Sequence, residues 1–307
     1  MMPLDDAWSR LAQALQAQPP SAGSETLPTE QALNRVLAQD LVSAVDVPPH
    51  DNSAMDGYAL CWADRQRAQD AQGGSVLPQG QRIAAGQVGQ PLAAGHCARI
   101  FTGAPIPAGA DAVVMQEHTE AQPEGLVRFL QAVQPGQNIR RRGEDIACGQ
   151  TVLRAGQRLT PAALGVAASV GAASLAVRAR PRVGILTTGD ELVMPGQPLP
   201  PGAIYNSNRH TLRGLVQSCG AQAADLGVIP DDLLQTRQAL RKAAEQHDLI
   251  ITSGGVSVGE EDHLRAAVLA EGGLDFWALA IKPGKPFVCG WITRADGSRA
   301  LYMGLPG

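Results

Sequence analysis

The chain has 307 residues, of which 44% are hydrophobic and 4% aromatic, with 34 Gly, 22 Pro and a formal net charge of -4. That length predicts two or three domains, with cores built mainly from Ala, Val, Leu and Ile. The acidic balance argues against nucleic acid as a partner, because such binding relies on a basic face. Five cysteines, Cys61, Cys97, Cys148, Cys219 and Cys289, lie far apart with no CxxC pair. They offer neither a zinc knuckle nor a redox motif and suit a reducing compartment. The N-terminus lacks the basic start and apolar core of a signal peptide, and no run reaches the roughly 18 apolar residues of a membrane span. A soluble, cytoplasmic protein with no membrane partner is expected.

Residues 5–18 have helical spacing, with Trp8, Leu11, Ala12 and Leu15 on one face and Pro19-Pro20 as the stop. A second short helix is predicted from Thr29, lined by Leu33, Val36 and Leu37. From about Val45 short apolar runs alternate with Gly, Pro and Asn: "GYALCWAD", "QRIAAGQ", "ADAVVMQEHTE", "GLVRFLQAV". This texture predicts an all-β module that ends near Ile139. A charged turn, a hairpin-like stretch and a small-residue helix from Pro161 to Val170 follow, with Thr160-Pro161 as the start signal.

The reading therefore has four parts: an N-terminal helix (1–21), a small α+β linking domain (22–46 with 140–178), a small barrel-like β module inserted within it (47–139), and an α/β domain (179–307). In the last part, "RVGILTTG", "AADLGVI" and "DLIITSGG" read as strands. "SNRHTLRGLVQSCG", "DDLLQTRQALRKAAEQ" and "DHLRAAVLAEGG" read as helices. Alternation of this kind predicts a parallel sheet with helices on both faces. "LDFWALAIKPGKPFVCGWI" and "RALYMGLPG" add further strands.

In such a sheet, ligands bind outside the carboxyl ends of the strands. Three turns should emerge there: Gly189-Asp190-Glu191 after Thr188, Pro230-Asp231-Asp232 after Ile229, and "TSGGVSVGEEDH" after Ile251. Each carries acids, and any one acid at such a position also reads as a helix cap or first-turn residue. Gly254-Gly255 with Ser253 and Ser257 can form an anion cradle. Acids beside a phosphate would repel it unless a divalent cation lies between, and Mg²⁺ binds through one or two carboxylates plus phosphates. Lys282 and Lys285 in "KPGKP" suit an oxyanion, or a solvated hairpin tip. Neither a Walker loop nor GxGxxG is present. "NIRRRGEDI" reads as a solvated face, an anion site or a subunit contact. The histidines have no metal spacing and make no Ser-His-Asp signature.

Together "DNSAMDGYA", "TGAPIPAGADAVV", "RRRGEDI", "TTGDEL", "YNSN", "TSGGVSVGEEDH", "FWALAIKPGKPF" and "GLPG" resemble the molybdopterin molybdenumtransferases, whose relatives include the E domain of gephyrin. The match spans Val47 to Gly307. The resemblance implies insertion of molybdenum from molybdate into adenylylated molybdopterin, with Mg²⁺-dependent cleavage of the pyrophosphate link and AMP release. It implies a homodimer with a composite site between subunits, and the molybdopterin adenylyltransferase as a partner. By motif, Glu191, Asp231 and Asp262 become metal and catalytic contacts, and Lys282 and Lys285 catalytic oxyanion contacts. Thr188, Gly189, Asp190, Ser253, Gly254, Gly255 and Ser257 become substrate contacts, and Asp56, Thr102 and Asp145 the partner subunit's wall. Ala278 stands where many members carry Lys. The family continues past GLPG into a C-terminal β domain, so that domain is expected to be absent. The alternatives are a non-catalytic pterin-binding scaffold and a molybdopterin adenylyltransferase, which would usually be an α/β domain alone.

Overall fold

The computed structural model describes residues 2–17, 23–69, 74–255, 263–281 and 286–307. Two compact units emerge: Met1–Glu25 with Val177–Gly307, and Thr26–Ala176. The linking segments and the β module of the sequence reading thus fall largely within one unit, and the N-terminal helix falls with the α/β part.

The α/β unit contains helices α1 (Leu4–Ala17), α2 (Ser207–Ser218), α3 (Leu233–Gln246) and α4 (His263–Glu271). Its main strands are β1 (Arg182–Thr188), β2 (Gln222–Ile229), β3 (Leu249–Ser253), β4 (Gly272–Trp277), β5 (Val288–Thr293) and β6 (Arg299–Leu305). The sheet order is β2-β1-β3-β6-β5-β4. The first four run parallel, but β5 runs antiparallel to both its neighbours, β6 and β4, so the sheet is mixed rather than wholly parallel as predicted. The turn at Asp296-Gly297 explains the difference. Gly297 has φ +84 and Gly297 N donates to Arg294 O, which lets β5 and β6 pair as a hairpin.

Successive strand residues alternate between two cores. Leu186, Ile250 and Tyr302 pack with Leu240, Ala243, Leu264 and Val268 of α3 and α4. On the other face Ile185, Ile251 and Met303 pack with Leu212 and Val216 of α2. Helix α1 buries Ala7 against Phe276, Leu279 and Cys289, with Leu11 half-buried beside them. Trp8 and Leu15 are exposed, contrary to the predicted face. The helix is pinned before its first turn by Met2, which bridges to Leu279. That anchor sets its rotation and turns Ala7 and Leu11 inward.

The second unit holds a curled, mixed six-stranded sheet. Its order is Ala112–Met115, Gly57–Leu60, Cys97–Ile100, Ser75–Ile83, Leu126–Phe129 and Thr119–Ala121. Only the pair Ser75–Ile83 with Cys97–Ile100 is parallel. One core holds Leu60, Leu77, Val127 and Phe129, and the other Ala59, Ile83, Ile100 and Val113. Pro161–Ser169 is helical, with Thr160 capping Ala163 N as its sequence predicts.

Two local expectations fail in this unit. Thr29 opens only a short 3-10 turn, Thr29–Gln31. Asn34 sits at φ +62, and Asn34 N and Leu37 N donate to Leu159 O and Gln157 O, so the backbone is spent on a neighbouring segment. Conversely the end of "GYALCWAD", read as part of an all-β module, opens a helix, Trp62–Arg67. The cap comes from afar: Asp111 Oδ1 accepts from Trp62 N at 2.7 Å.

Helices α3 and α4 are tied by Glu271, whose carboxylate accepts from Arg237 Nε at 2.8 Å and from Arg241 Nε and Nη2 at 2.9 Å. The Arg241 and Arg237 hydrogen bonds outweigh partial burial and hold the carboxyl below its ordinary 4.5. The stability it contributes is present above that ordinary value and is lost as pH falls through the depressed one. Glu271→Gln should cost about 1–2 kcal/mol at neutral pH and flatten the acid limb of stability against pH. Urea unfolding at several pH values checks this; a variant profile parallel to that of the parent would contradict it.

Candidate active site

The carboxyl ends of β1, β2, β3 and β6 border a cavity of about 620 Å³. Its wall includes Thr187, Thr188, Gly189, Glu191, Asn206, Asn208, Asp231, Ser253, Gly254 and Gly255. The three predicted turns therefore meet in one hollow, at the edge where α/β sheets bind ligands.

Register creates the floor. Thr187 pairs with Ser253, so the residues that follow are forced together. Gly254 has φ +93, and a Cβ there would lie 2.6 Å from Thr188 O and 2.8 Å from Thr188 Oγ1. At Gly255, φ +63, a Cβ would lie 2.9 Å from Thr188 Oγ1 and 2.8 Å from Leu264 Cδ1. Only glycine supplies both the left-handed backbone and the space. The two amides differ. Gly254 N donates to Leu305 O at 3.1 Å and so extends the β3–β6 ladder. Gly255 N has no hydrogen-bond partner among the described residues and is the amide the cradle can offer to a ligand.

At the end of β1, Gly189 has φ +133, and any Cβ would overlap the Glu191 carboxylate, which folds back over the turn. Ile204 N donates to Glu191 O at 2.9 Å, and Leu192–Val193 pairs with Ile204–Tyr205. This small ladder holds Glu191 at the rim. Asn206 caps α2 by accepting from Arg209 N and donates through Nδ2 to Thr187 Oγ1 at 2.9 Å. Thr187 Oγ1 in turn donates to Gly227 O at 3.4 Å. Arg209 pairs with Asp225 beside the β-bulge at Gly227. Asn208 Nδ2 donates to Ser253 Oγ at 2.9 Å. The first turn of α2 is thus locked to both strand ends.

The acids divide their roles. Asp231 lines the cavity, whereas Asp232 caps α3 by accepting from Gln235 N at 2.7 Å. Asp190 is exposed and is not part of the cavity lining. Ser257, Asp262, Lys282 and Lys285 lie outside the described residues. Among the described residues no group of three His, Cys, Asp or Glu is arranged to hold a metal ion. Two of the three expected ligands, Glu191 and Asp231, do share the cavity. At the departure Ala278, φ is +78 and Ala278 N donates to Phe287 O.

The other expected residues belong to the second unit. Asp56 Oδ1 accepts from both Thr102 N and Thr102 Oγ1 at 2.8 Å. These bonds, with the Arg99 charge, hold the Asp56 carboxyl below its ordinary value. Asp145 accepts from Arg140 Nη2 at 2.5 and 2.6 Å. Arg141 pairs with Asp51 and Arg142 with Asp46, each at 2.6 Å. Every arginine of the run has a carboxylate partner in its own unit. The run therefore braces loops rather than presenting bare charge to an anion.

Sequence reasoning assigned no role to Tyr205, Asn206, Asn208 or the Pro306-Gly307 end of β6, all of which line the cavity. Asparagine just before a helix was the available signal, since it is a favoured cap.

The cavity and nearly all of the sheet lie in residues 184–307, which match the family model described as a probable molybdopterin binding domain. The model of the MoeA N-terminal region, domains I and II, matches residues 2–171. The molybdopterin molybdenumtransferase of Haemophilus influenzae is 41% identical over 307 residues, covering all of this chain and 73% of that protein. Molybdopterin molybdenumtransferase 2 of Mycobacterium tuberculosis is 42% identical over 276 residues, covering 85% of this chain and 66% of that protein. The molybdopterin biosynthesis MoeA protein of Pyrococcus horikoshii superimposes with a TM-score of 0.82 at 30% identity, covering all of this chain and 74% of that one. The chain belongs to the molybdopterin molybdenumtransferase family.

The close approach at the floor makes a direct prediction. Gly254→Ala should lower stability by about 1–3 kcal/mol through backbone strain and displace Thr188. Chemical denaturation and the Thr188 amide shift in NMR spectra would report both; an unchanged midpoint and shift would contradict the packing described.

Proposed function

We propose that this chain inserts molybdenum from molybdate into adenylylated molybdopterin and releases AMP. The observation that carries this reading is the one cavity lined by the Gly254-Gly255 turn together with Glu191 and Asp231. Such a hollow combines a backbone amide for phosphate with acids for the cation that phosphate brings. Its volume lies within the range of about 300–1,000 Å³ typical of small-ligand sites.

In this account the pyrophosphate arm lies over the Gly255 amide and the first turn of α2, with Lys282 and Lys285 neutralising oxyanion charge. A water oxygen adds to the pterin-side phosphorus, the bond from that phosphorus to the bridging oxygen breaks, and AMP leaves with the bridging oxygen while the proton lost by water passes to the departing phosphate or to solvent. Asp231 or Asp262 orients the attacking oxygen. Bound Mg²⁺, held by Glu191, Asp231 and Asp262, would stabilise charge on the phosphate oxygens. Preorganised donors of this kind supply most of the rate in phosphoryl transfer. Thr188 and Ser253 hold the turn that presents the amide, and Asn208 fixes Ser253.

The reading extends to assembly and setting. The β module, inserted in the chain between the linking segments, would present Asp56, Thr102 and Asp145 to the partner subunit's cavity in a homodimer. Adenylylated pterin would arrive from the adenylyltransferase. Five free cysteines support a reducing compartment such as the cytoplasm, and among the described residues no helix is long and apolar enough to cross a membrane.

Purified protein incubated with adenylylated molybdopterin, Mg²⁺ and molybdate should release AMP in a molybdate-dependent manner. Binding without AMP above background would overturn the catalytic reading. Asp231→Asn should lower turnover at least tenfold with little loss of thermal stability, because its side chain faces solvent in the cavity rather than a core; unfolding in place of lost turnover would move Asp231 to a structural role. In mixed dimers, Thr102→Ala subunits should complement Asp231→Asn subunits and restore one working site in each heterodimer. Failure of any mixture to exceed the separate variants would rule out a site shared between subunits.

A further inference from the structure

The cavity has two chemically unlike kinds of lining. One is polar and phosphate-like in its demands: Thr188, Asn208, Asp231, Ser253 and the two glycines. Apolar lining comes from Leu192, Ile204 and Tyr205, which share one short ladder, and from Pro286 and Pro306. Tyr205 is the one aromatic residue among the described lining residues, in a chain with only three tyrosines, four phenylalanines and four tryptophans. It is 44% exposed, and its neighbour Ile204 is 56% exposed.

Tyr205 is also held still. Its backbone lies in the short ladder with Leu192–Val193, and its hydroxyl donates to Gln197 O at 3.1 Å. The polar end is therefore satisfied within the protein, and what remains for a ligand is the ring itself. A rigid ring loses little conformational entropy on binding, so stacking on it is retained as affinity. Tyr205 also immediately precedes Asn206, the cap of α2. A ligand whose phosphate reaches the first turn of α2 or the glycine turn has its remaining atoms within reach of this ring.

We propose that Tyr205 is the stacking platform for a planar heteroaromatic ring of the substrate. The ligand class is a phosphorylated heteroaromatic compound, namely the nucleotide or the pterin half of an adenylylated pterin. The inference rests on the phosphate reading of the glycine turn given above. Tyr205 acts in binding and specificity, and it takes no part in bond breaking.

Calorimetric titration of the full chain with AMP, ribose 5-phosphate and neopterin phosphate, each with Mg²⁺, tests this. The parent protein should bind the ring-bearing phosphates more tightly than ribose 5-phosphate by roughly tenfold or more, in line with base–aromatic stacking elsewhere. Tyr205→Ala should erase that advantage and leave ribose 5-phosphate binding unchanged, whereas Tyr205→Phe should keep it. If the dependence on Tyr205 is seen for AMP, the platform holds the adenine half; if for neopterin phosphate, the pterin half. Parent affinities equal for all three ligands, or a Tyr205→Ala variant that still discriminates, would overturn the proposal. Failure of the parent to bind any of the three would instead overturn the phosphate reading beneath it. Because Tyr205 is at the surface, circular dichroism of the variants should match the parent, and Tyr205→Phe separates loss of the ring from loss of the Gln197 hydrogen bond.

Discussion

The site depends on one close approach: the end of β1 against the turn that leaves β3. Parallel pairing brings Thr187 opposite Ser253, and the chain must then turn away without a side chain in the gap. Gly254 and Gly255 allow this, and Thr188 fills the space that their missing Cβ atoms leave. A bulkier pair would push the strand ends apart and separate the three turns that form the hollow. The same contact commits the first glycine's amide to β6, whereas the second has no partner among the described residues. One steric constraint thus determines the shape of the floor.

Around this floor, charge is sorted by position rather than by type. Asp232 caps a helix and Asp225 holds Arg209, whereas Glu191 and Asp231 face the cavity. In the second unit Asp46, Asp51 and Asp145 each take an arginine of the run 140–142. Exposed pairs of this sort contribute little stability singly. Linked to backbone amides, as Asp51 is to Arg142 N and Asp46 to Cys148 N, they fix loop geometry. Glu191 and Asp231 are the acids that line the cavity.

Much of this was legible in the sequence because it is local. Strand–helix alternation, the Thr160-Pro161 helix start and the glycines after β3 all announce themselves within a few residues. The meeting of the turns after residues 188, 229 and 251 followed from the geometry of α/β sheets alone. What stayed hidden was set at long range. The cap on Trp62 lies at Asp111, the segment around Asn34 pairs with 157–159, and the rotation of α1 is fixed by the Met2 bridge to Leu279. No window of sequence contains both partners of any of these contacts. The antiparallel edge of the sheet depended on the tight turn at Gly297. The arginine run had three open readings, and its carboxylate partners at 46, 51 and 145 became visible only in the structure. Tyr205 was overlooked because a lone tyrosine before a helix cap carries no periodic signal.

The central claim is that the hollow above Thr188, Asp231 and Gly254-Gly255 receives the phosphate arm of the substrate. A crystal structure with AMP, Mg²⁺ and molybdate soaked in tests it most directly. The account predicts AMP phosphate within hydrogen-bonding distance of Gly255 N, with a metal ion between it and the carboxylates of Glu191 and Asp231. AMP seated on another surface, with this hollow holding only water, would contradict it.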